Sequence, residues 1–500
     1  MTTIEAQGRV VKDLNGNGKA DPDEPGIPGV AVSNGKDVIL TNSDGVYRLK
    51  IPASDGVITI TQPRGFRVPL NDLNLPQFYY LHKPEGSPDL YYRGIKPTGL
   101  FPESVNFALR PVDEPDKFRA LLFADTQIET SEDLRHFYRE FLGEVSELGA
   151  DLLINLGDIM YDHLDLFTPY NRAMARLGIP VFSILGNHDL NFDAKNDEDS
   201  DETFTALFGP PNYSWQIGQV HFVALDTILW NGREQSPEYR ERLDEKTLTW
   251  LKNDLAVVPA DRLIVLCLHA PLYRDRGTTT PGRLGNFDQL VKILNDRPSI
   301  LAVSGHSHVS DRKVFGLADG WKGSGRFEEM NCVTVSGSWW SGPRDYRGVP
   351  SSYQRDGVPK GYTILDIDGT SFTLRYRAAG QPDKIQMRIY PPGTHNSGEA
   401  EANRRLLVNV FYGWADCRVD YSINNGPWTP MTQVPQLDPL AVNLYSGPAH
   451  TGKPFVRPLI TNHIWQADLL EQPERGAKRF RVRVTWPDGH QDIQSVVHDR

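Results

Sequence analysis

Cysteine is nearly missing from this chain of 500 residues: only Cys267, Cys332 and Cys417 occur, widely separated and odd in number. No disulfide framework follows from them, and the first two, set in apolar runs, read as small buried thiols. Long apolar stretches are missing as well, so no helical membrane span is expected. Basic residues are in deficit, 53 Lys and Arg against 64 Asp and Glu, for a net charge of -11. That argues against general affinity for nucleic acid or an anionic membrane and leaves room only for a local basic pocket. The first residues, MTTIEAQGRVV, lack the basic and apolar regions of a secretory signal. A periplasmic or extracellular location is favoured if a signal was removed, and a soluble cytoplasmic one otherwise. No internal repeat at a fixed period is visible.

What is present divides into three parts, as expected of a chain too long for one compact core. Residues 1–112 read as short β segments with turn signals, among them DVILTNSDGVYRLKI, whose Asn42–Gly45 is a hairpin-type turn. A small β-sandwich is the natural class. Across 113–380, apolar strands alternate with helical stretches, the pattern of a layered α/β domain. The clearest helix carries Leu134, Phe137, Phe141, Val145 and Leu148 at three- and four-residue spacing, with Thr130 and Ser131 as capping candidates. Residues 381–500 return to alternating strands and predict a C-terminal β domain.

The central part holds a ladder of metal-ligand residue types, each at the end of an apolar run. Asp125 and Gln127 close LLFADTQ, and Asp158 closes LLINLGD. Asn187 and His188 lie in VFSILGNHD, His269 in LIVLCLHAP, and His306 and His308 in ILAVSGHSH. Ligands at strand ends are where loops can meet. Carboxylate, amide and imidazole donors in succession can build a two-metal centre, and such a centre suits cleavage of a phosphate ester. That reaction needs charge neutralised on the phosphoryl oxygens, an activated water and a proton for the leaving oxygen. Two ions about 3.5–4 Å apart supply the first two. Asp158 suits the bridge, because a carboxylate has two oxygens to share. The neutral amides of Gln127 and Asn187 limit the negative charge, and the imidazoles favour Mn, Fe or Zn over Mg or Ca.

The blocks D-x-Q, G-D, G-N-H-D, a lone His after a strand and G-H-x-H, in this order, resemble the calcineurin-like metallophosphoesterases. The resemblance covers the middle domain and implies a four-layer α/β/β/α fold. The order of domains resembles bacterial members with N-terminal and C-terminal β accessory domains. By matched position, it implies that Asp125, Gln127 and His308 hold one metal, that Asn187, His269 and His306 hold the other, and that Asp158 bridges. His188 then serves as the proton donor rather than a ligand, oriented by a carboxylate: Asp162, with Asp189 as the second choice. Asn187 would also help hold the phosphoryl oxygens. Gln127 departs from the commonest D-x-H block. Glutamine occurs there in manganese-dependent branches that cleave ADP-ribose or CDP-alcohols, and its oxygen makes Mn or Fe more plausible against Zn. The expected function is hydrolysis of small exposed phosphomonoesters or phosphodiesters by metal-activated water and a histidine acid. The alternatives are a nucleotide diphosphate hydrolase and a non-catalytic surface binding protein.

A second oxygen-donor pattern lies near the start. Asp13, Asn15, Asn17, Lys19 (through its carbonyl), Asp21 and Glu24, with Gly18 at the sharp turn, have the spacing of a calcium loop. The flanks are strand-like, so the loop resembles the calcium-bearing β-sandwich repeats of bacterial surface proteins and predicts a structural Ca. A polar β-turn is the plainer reading. The acidic run from Asp193 to Glu202 reads as a solvated loop. Candidates for the substrate pocket are His163, near the Asp158 loop, and the aromatic and basic segment with Trp339, Trp340, Arg344, Tyr346, Arg347, Tyr353 and Arg355. His463 joins them if the C-terminal domain lies over the catalytic face. The competing expectation is that the tryptophans pack in the core and the arginines lie in solvent.

Overall fold

The strand Val46–Pro52 shows how the first sheet forms. Tyr47, Leu49 and Ile51 are buried while Arg48 and Lys50 are exposed, so a period of two fixes one face inward. It pairs antiparallel with Thr3–Lys12, which also pairs parallel with Phe107–Pro111. Asn42 turns the chain into this strand by accepting from the N–H groups of Asp44 and Val46. Gly45 there has φ +73°, and a Cβ on it would stand 2.3 Å from the Val10 carbonyl oxygen. A second four-stranded sheet runs in the order 38–40, 31–33, 56–60, 79–82. The computed structural model describes residues 2–274, 282–395, 404–446, 450–469 and 477–499.

The middle of the chain builds two larger sheets. One has the order 181–183, 152–155, 117–123, 361–368, 371–378, with its first three strands parallel. The other has the order 213–217, 220–225, 263–268, 300–304, 327–331, 311–315. Several of the parallel strands are buried along their length and read as continuous apolar runs, such as Leu263–Leu268. Both sheets feed one hydrophobic cluster, which includes Ala120, Leu122 and Ile154 from the first and Phe222, Val265 and Leu301 from the second. The same cluster runs back to Ala6 and forward to Tyr412, so the three parts share packing. Cys267 and Cys332 lie in it as buried free thiols.

The helix expected after the first ligand block spans Ser131–Phe137 and continues through a π-helical turn, Tyr138–Leu142, into Gly143–Ser146. Thr130 caps it in a capping box with Asp133. Phe137 and Phe141 are fully buried, contributing about 1.5–3 kcal/mol each. The run Asp193–Glu202 is more than a solvated loop. Glu202 is buried and pairs with Lys83, tying the N-terminal part to the centre, and Asp197 accepts from the Trp230 N–H.

The C-terminal part carries two four-stranded sheets, 387–390, 405–410, 464–468, 432–433 and 429–430, 418–423, 478–485, 491–498. It also carries a short helix, Pro439–Tyr445, that the strand pattern did not announce. Asp438 caps it and Pro439 opens it. Tyr412 donates to or accepts from Thr363 Oγ1 and receives the Val333 N–H at 2.9 Å, which docks this part on the central sheets. Among the described residues, no helix is long and apolar enough to cross a membrane.

Candidate metal centre

Every block of the ladder lies just past the C-terminal end of a central strand, and the loops turn sharply there. Asp125, Gln127, Asp158, His306 and His308 all have left-handed backbone, with φ between 48° and 73°. Such conformations cost non-glycine residues about 1–3 kcal/mol each and persist where the surroundings over-determine them, which is the usual state of an active site. The glycines in these loops permit close approach. A Cβ on Gly186 would stand 2.3 Å from Asp158 Oδ1, and one on Gly305 would stand 2.4 Å from Asp125 Oδ2.

The side chains converge in two groups around Asp158. On one side are Asp125, Gln127 and His308. Asp125 Oδ2 accepts the His306 N–H at 2.8 Å, while Asp125 Oδ1, Gln127 Oε1 and His308 Nε2 are buried without hydrogen-bond partners among the described residues. Asp125 Oδ1 and His308 Nε2 lie 3.4 Å apart. On the other side, His269 Nε2 is 3.2 Å from Asn187 Oδ1, 3.1 Å from His306 Nδ1 and 3.2 Å from Asp158 Oδ1. Gln127 donates its amide to Asp158 Oδ2 at 2.8 Å, so Asp158 touches both groups. Asp158, His269 and His306 form a cluster whose ligand atoms all lie within 4.8 Å of one another.

Each imidazole is turned by a partner on its far nitrogen. His269 Nδ1 lies 2.9 Å from the Leu156 carbonyl and His308 Nδ1 lies 2.5 Å from that of Gly337. His306 Nε2 lies 3.3 Å from Glu241. A carbonyl or carboxylate on one ring nitrogen leaves the other free to ligate. Burial holds His306 down at about 4 and His308 at about 3, so both are neutral near pH 7 with lone pairs available. Burial also opposes charge on His269, but Asp158 overcomes it and raises this histidine; burial pushes Asp158 up in turn, and His269 and His188 outweigh it and hold the carboxyl low. Three orphaned acceptors on one side and convergent imidazole nitrogens on the other fit divalent cations, since uncompensated buried acceptors are costly.

His188 stands apart. Its backbone N–H donates to Asp158 Oδ1, its Nδ1 lies 2.6 Å from Asp162 Oδ1, and its ring stacks on Tyr161 at 4.4 Å. Burial lowers its basicity, but Asp158 and Asp162 outweigh this and raise it. Asp189 has a different task. Fully buried, it accepts from the N–H groups of Ile159, Met160 and Gly186 and fastens the Asp158 loop to the Asn187 loop. Three contributors were not visible in the residue pattern: Glu241 behind His306, Tyr161 under His188, and Lys453, which lies 4.3 Å over the Tyr161 ring and pairs with Glu129. None has a local motif, and only the tertiary fold brings them in.

The substrate-pocket candidates divide. Trp339 stacks on His308 at 3.7 Å and meets Phe455 edge-on, so it backs that imidazole. His163 is exposed beside Asp162. Four others have different surroundings. Trp340 is buried and donates its indole N–H to the Thr126 carbonyl, an anchor in the core. Arg344 pairs with Glu132 and the Gly348 carbonyl, and Tyr346 is 95% exposed. His463 is fully buried between Asn409 and Asp356, in a polar network that also holds the Ser310 N–H, so it braces the C-terminal part rather than lining a pocket. In the Asp13–Glu24 loop, Asp13 accepts from Gly16, Asn17 and Gly18, Glu24 accepts from Leu14 and Asp21, and Asn15 and Asn17 donate to Asp21. Lys19 is exposed there, its N–H donated to Asn17.

A centre of this composition at parallel-strand ends defines a class of metal-dependent phosphoester hydrolases. Residues 118–310 match the family described as calcineurin-like phosphoesterase, residues 14–94 its N-terminal family and residues 329–491 its C-terminal family. The three matches span most of the sequence, and the chain belongs to the calcineurin-like phosphoesterases that carry both accessory domains. No curated protein matches the chain. Similar solved structures include a dimetal phosphatase from Danio rerio, 15% identical over 53% of this chain and 97% of that one, with a TM-score of 0.38. A purple acid phosphatase from yellow lupin (Lupinus luteus) seeds is 11% identical over 70% and 67%, with a TM-score of 0.37. A metallophosphoesterase from Sphaerobacter thermophilus is 14% identical over 53% and 89%, with a TM-score of 0.24.

Proposed function

We propose that the enzyme hydrolyses small, exposed phosphoric esters, mono- or diesters, with Asp125, Gln127 and His308 holding one divalent ion, Asn187, His269 and His306 the other, and Asp158 shared between them. The observation that carries this is the convergence of unpartnered Asp125 Oδ1, Gln127 Oε1 and His308 Nε2 on one side of Asp158, with His269 and His306 nitrogens on the other. When bound, two such ions neutralise phosphoryl oxygens and bring the pKa of a water from about 15.7 to about 7. The protein's own part is positional. Asn187 presents an amide to the phosphoryl group. His188, turned by Asp162, gives its Nε2 proton to the leaving oxygen as water forms the new bond to phosphorus and the ester P–O bond breaks.

The domain reading accompanies this: an N-terminal β-sandwich over 1–112, a four-layer catalytic domain over 113–380 and a C-terminal β domain over 381–500. The oxygen-rich loop Asp13–Glu24 is read as a structural calcium site, with Asp13, Asn15, Asn17, Asp21 and Glu24 supplying side-chain oxygens and Lys19 its carbonyl. Calcium that raised Tm in the wild type and not in Glu24→Gln would support it. Oxygen-donor Gln127 favours Mn or Fe in the first position. Turnover of p-nitrophenyl phosphate and its bis-ester, measured beside metal content, tests the main reading. Metal-loaded protein that cleaves neither ester would overturn it.

A further inference from the structure

Beside the metal centre lies a concavity that the reaction as described leaves unused. A cavity of about 200 Å³ opens between His306 and the C-terminal strand Ile460–Thr461, so one imidazole belongs both to the metal centre and to this wall. Two buried side chains in its lining each keep a polar atom without a hydrogen-bond partner among the described residues. Arg274, with a side chain only 10% exposed, pairs with Glu241 through one terminal nitrogen, and its Nε has no hydrogen-bond partner among the described residues. Asn331, 3% exposed, donates its amide to Ser307 and leaves Oδ1 without one. A buried donor and a buried acceptor left unsatisfied are unfavourable unless a ligand or water completes them.

Arg355 adds a second guanidinium to the same wall. Its backbone N–H donates to the His308 carbonyl at 3.1 Å and its Nε to the Arg457 carbonyl at 2.9 Å. The side chain is thus tied at its root to the ligand loop and at its head to the C-terminal part. Two arginines in a concave site offer planar forks of N–H donors that match paired oxygens of a phosphoryl or carboxylate group. Asp311, on the same lining, sets a limit. It disfavours a ligand that is anionic throughout and favours one with hydroxyl donors beside the charge.

We propose that this cavity holds the second, anionic half of the substrate: a phosphoryl or carboxylate group joined by a short hydroxyl-bearing linker to the phosphorus under attack. The preferred substrates are then two-headed phosphodiesters or diphosphates rather than simple phosphomonoesters. This deepens the proposed function and rests on His306 being part of that site.

Calorimetric binding to the Mn²⁺-loaded protein tests it with three unhydrolysable probes: methylphosphonate, phosphonoacetate and methylenediphosphonate. The two-headed probes are expected to bind at least about tenfold tighter than methylphosphonate, the ordinary worth of a charge-assisted hydrogen bond. Whichever of the two gains more tells a carboxylate from a phosphoryl partner. Arg355→Gln and, elsewhere in the lining, Ile460→Trp should each remove most of that advantage. Ile460 is 39% exposed, so the larger side chain has room to fold. An advantage absent from the wild type, or one that survives both substitutions as plain metal chelation would, overturns the proposal. Arginine-dependent binding without turnover of either p-nitrophenyl phosphate or its bis-ester would sink the catalytic reading and leave the cavity standing. Turnover with no arginine-dependent advantage would do the reverse.

Discussion

Replacing Asp162 probes the proposed proton donor, His188, without touching any of the proposed ligands. The bond from His188 Nδ1 to Asp162 Oδ1 is 2.6 Å long, with side chains 23% and 39% exposed. A charge-assisted hydrogen bond contributes about 1.5–3 kcal/mol. Solvent screening at a carboxylate more than a third exposed reduces that to about 1 kcal/mol, or about fivefold in rate. Asp162→Asn keeps an oxygen that accepts from Nδ1–H, so it removes the charge and preserves the ring's orientation. Asp162→Ala removes both and should cost more, about tenfold or above. The loss should fall on alkyl phosphates, whose leaving oxygen needs a proton, and largely spare p-nitrophenyl phosphate. The sign of the pH effect follows from the charges. Burial lowers His188, Asp158 and Asp162 raise it further than burial lowers it, and deleting Asp162 moves it down. A general acid works while protonated, so the alkaline fall of kcat/KM should begin at lower pH in both variants. The assay is kcat/KM against pH for both substrates, with metal content measured alongside. Equal losses on the two leaving groups, an alkaline limb that does not move, or a loss that tracks missing metal would refute the argument.

Other outcomes follow from the same geometry. Asp158→Asn should lower metal occupancy and abolish turnover together, read by elemental analysis beside the assay. Asp189→Ala leaves three buried N–H groups unsatisfied, at about 1–3 kcal/mol each. Denaturant unfolding should therefore show a loss of at least about 3 kcal/mol, and a loss below about 1 kcal/mol would contradict the bracing role. Tyr412→Phe strips the partner from the Val333 N–H and should cost about 1–3 kcal/mol, measured the same way. Gln127→His should shift metal preference toward zinc in competition with manganese. Unchanged selectivity would remove Gln127 from the ligand set.

The ladder was legible because chemistry follows strand ends along the chain. Apolar runs such as Leu263–Leu268 announce parallel strands, and the polar residue that ends each run is placed by the fold where neighbouring loops meet. The helix after Thr130 was legible for a similar local reason, its apolar spacing and cap. What was illegible depends on direction. Trp340 and Trp339 are adjacent in sequence, yet one anchors its indole on Thr126 and the other stacks on His308. Both have left-handed backbone, which no residue pattern revealed. His463 reads as a pocket candidate should the C-terminal domain lie over the catalytic face, but Asn409 and Asp356 satisfy both its nitrogens in the interior. Glu241 and Lys453 reach the site from segments without any motif, so only the tertiary structure identifies them.

The central claim, two ions shared through Asp158, is tested most directly by titrating metal-free protein with Mn²⁺ while following turnover of bis-p-nitrophenyl phosphate. Activity should rise until two equivalents per chain are bound. Turnover that is independent of added metal, or complete at one equivalent, would contradict the account.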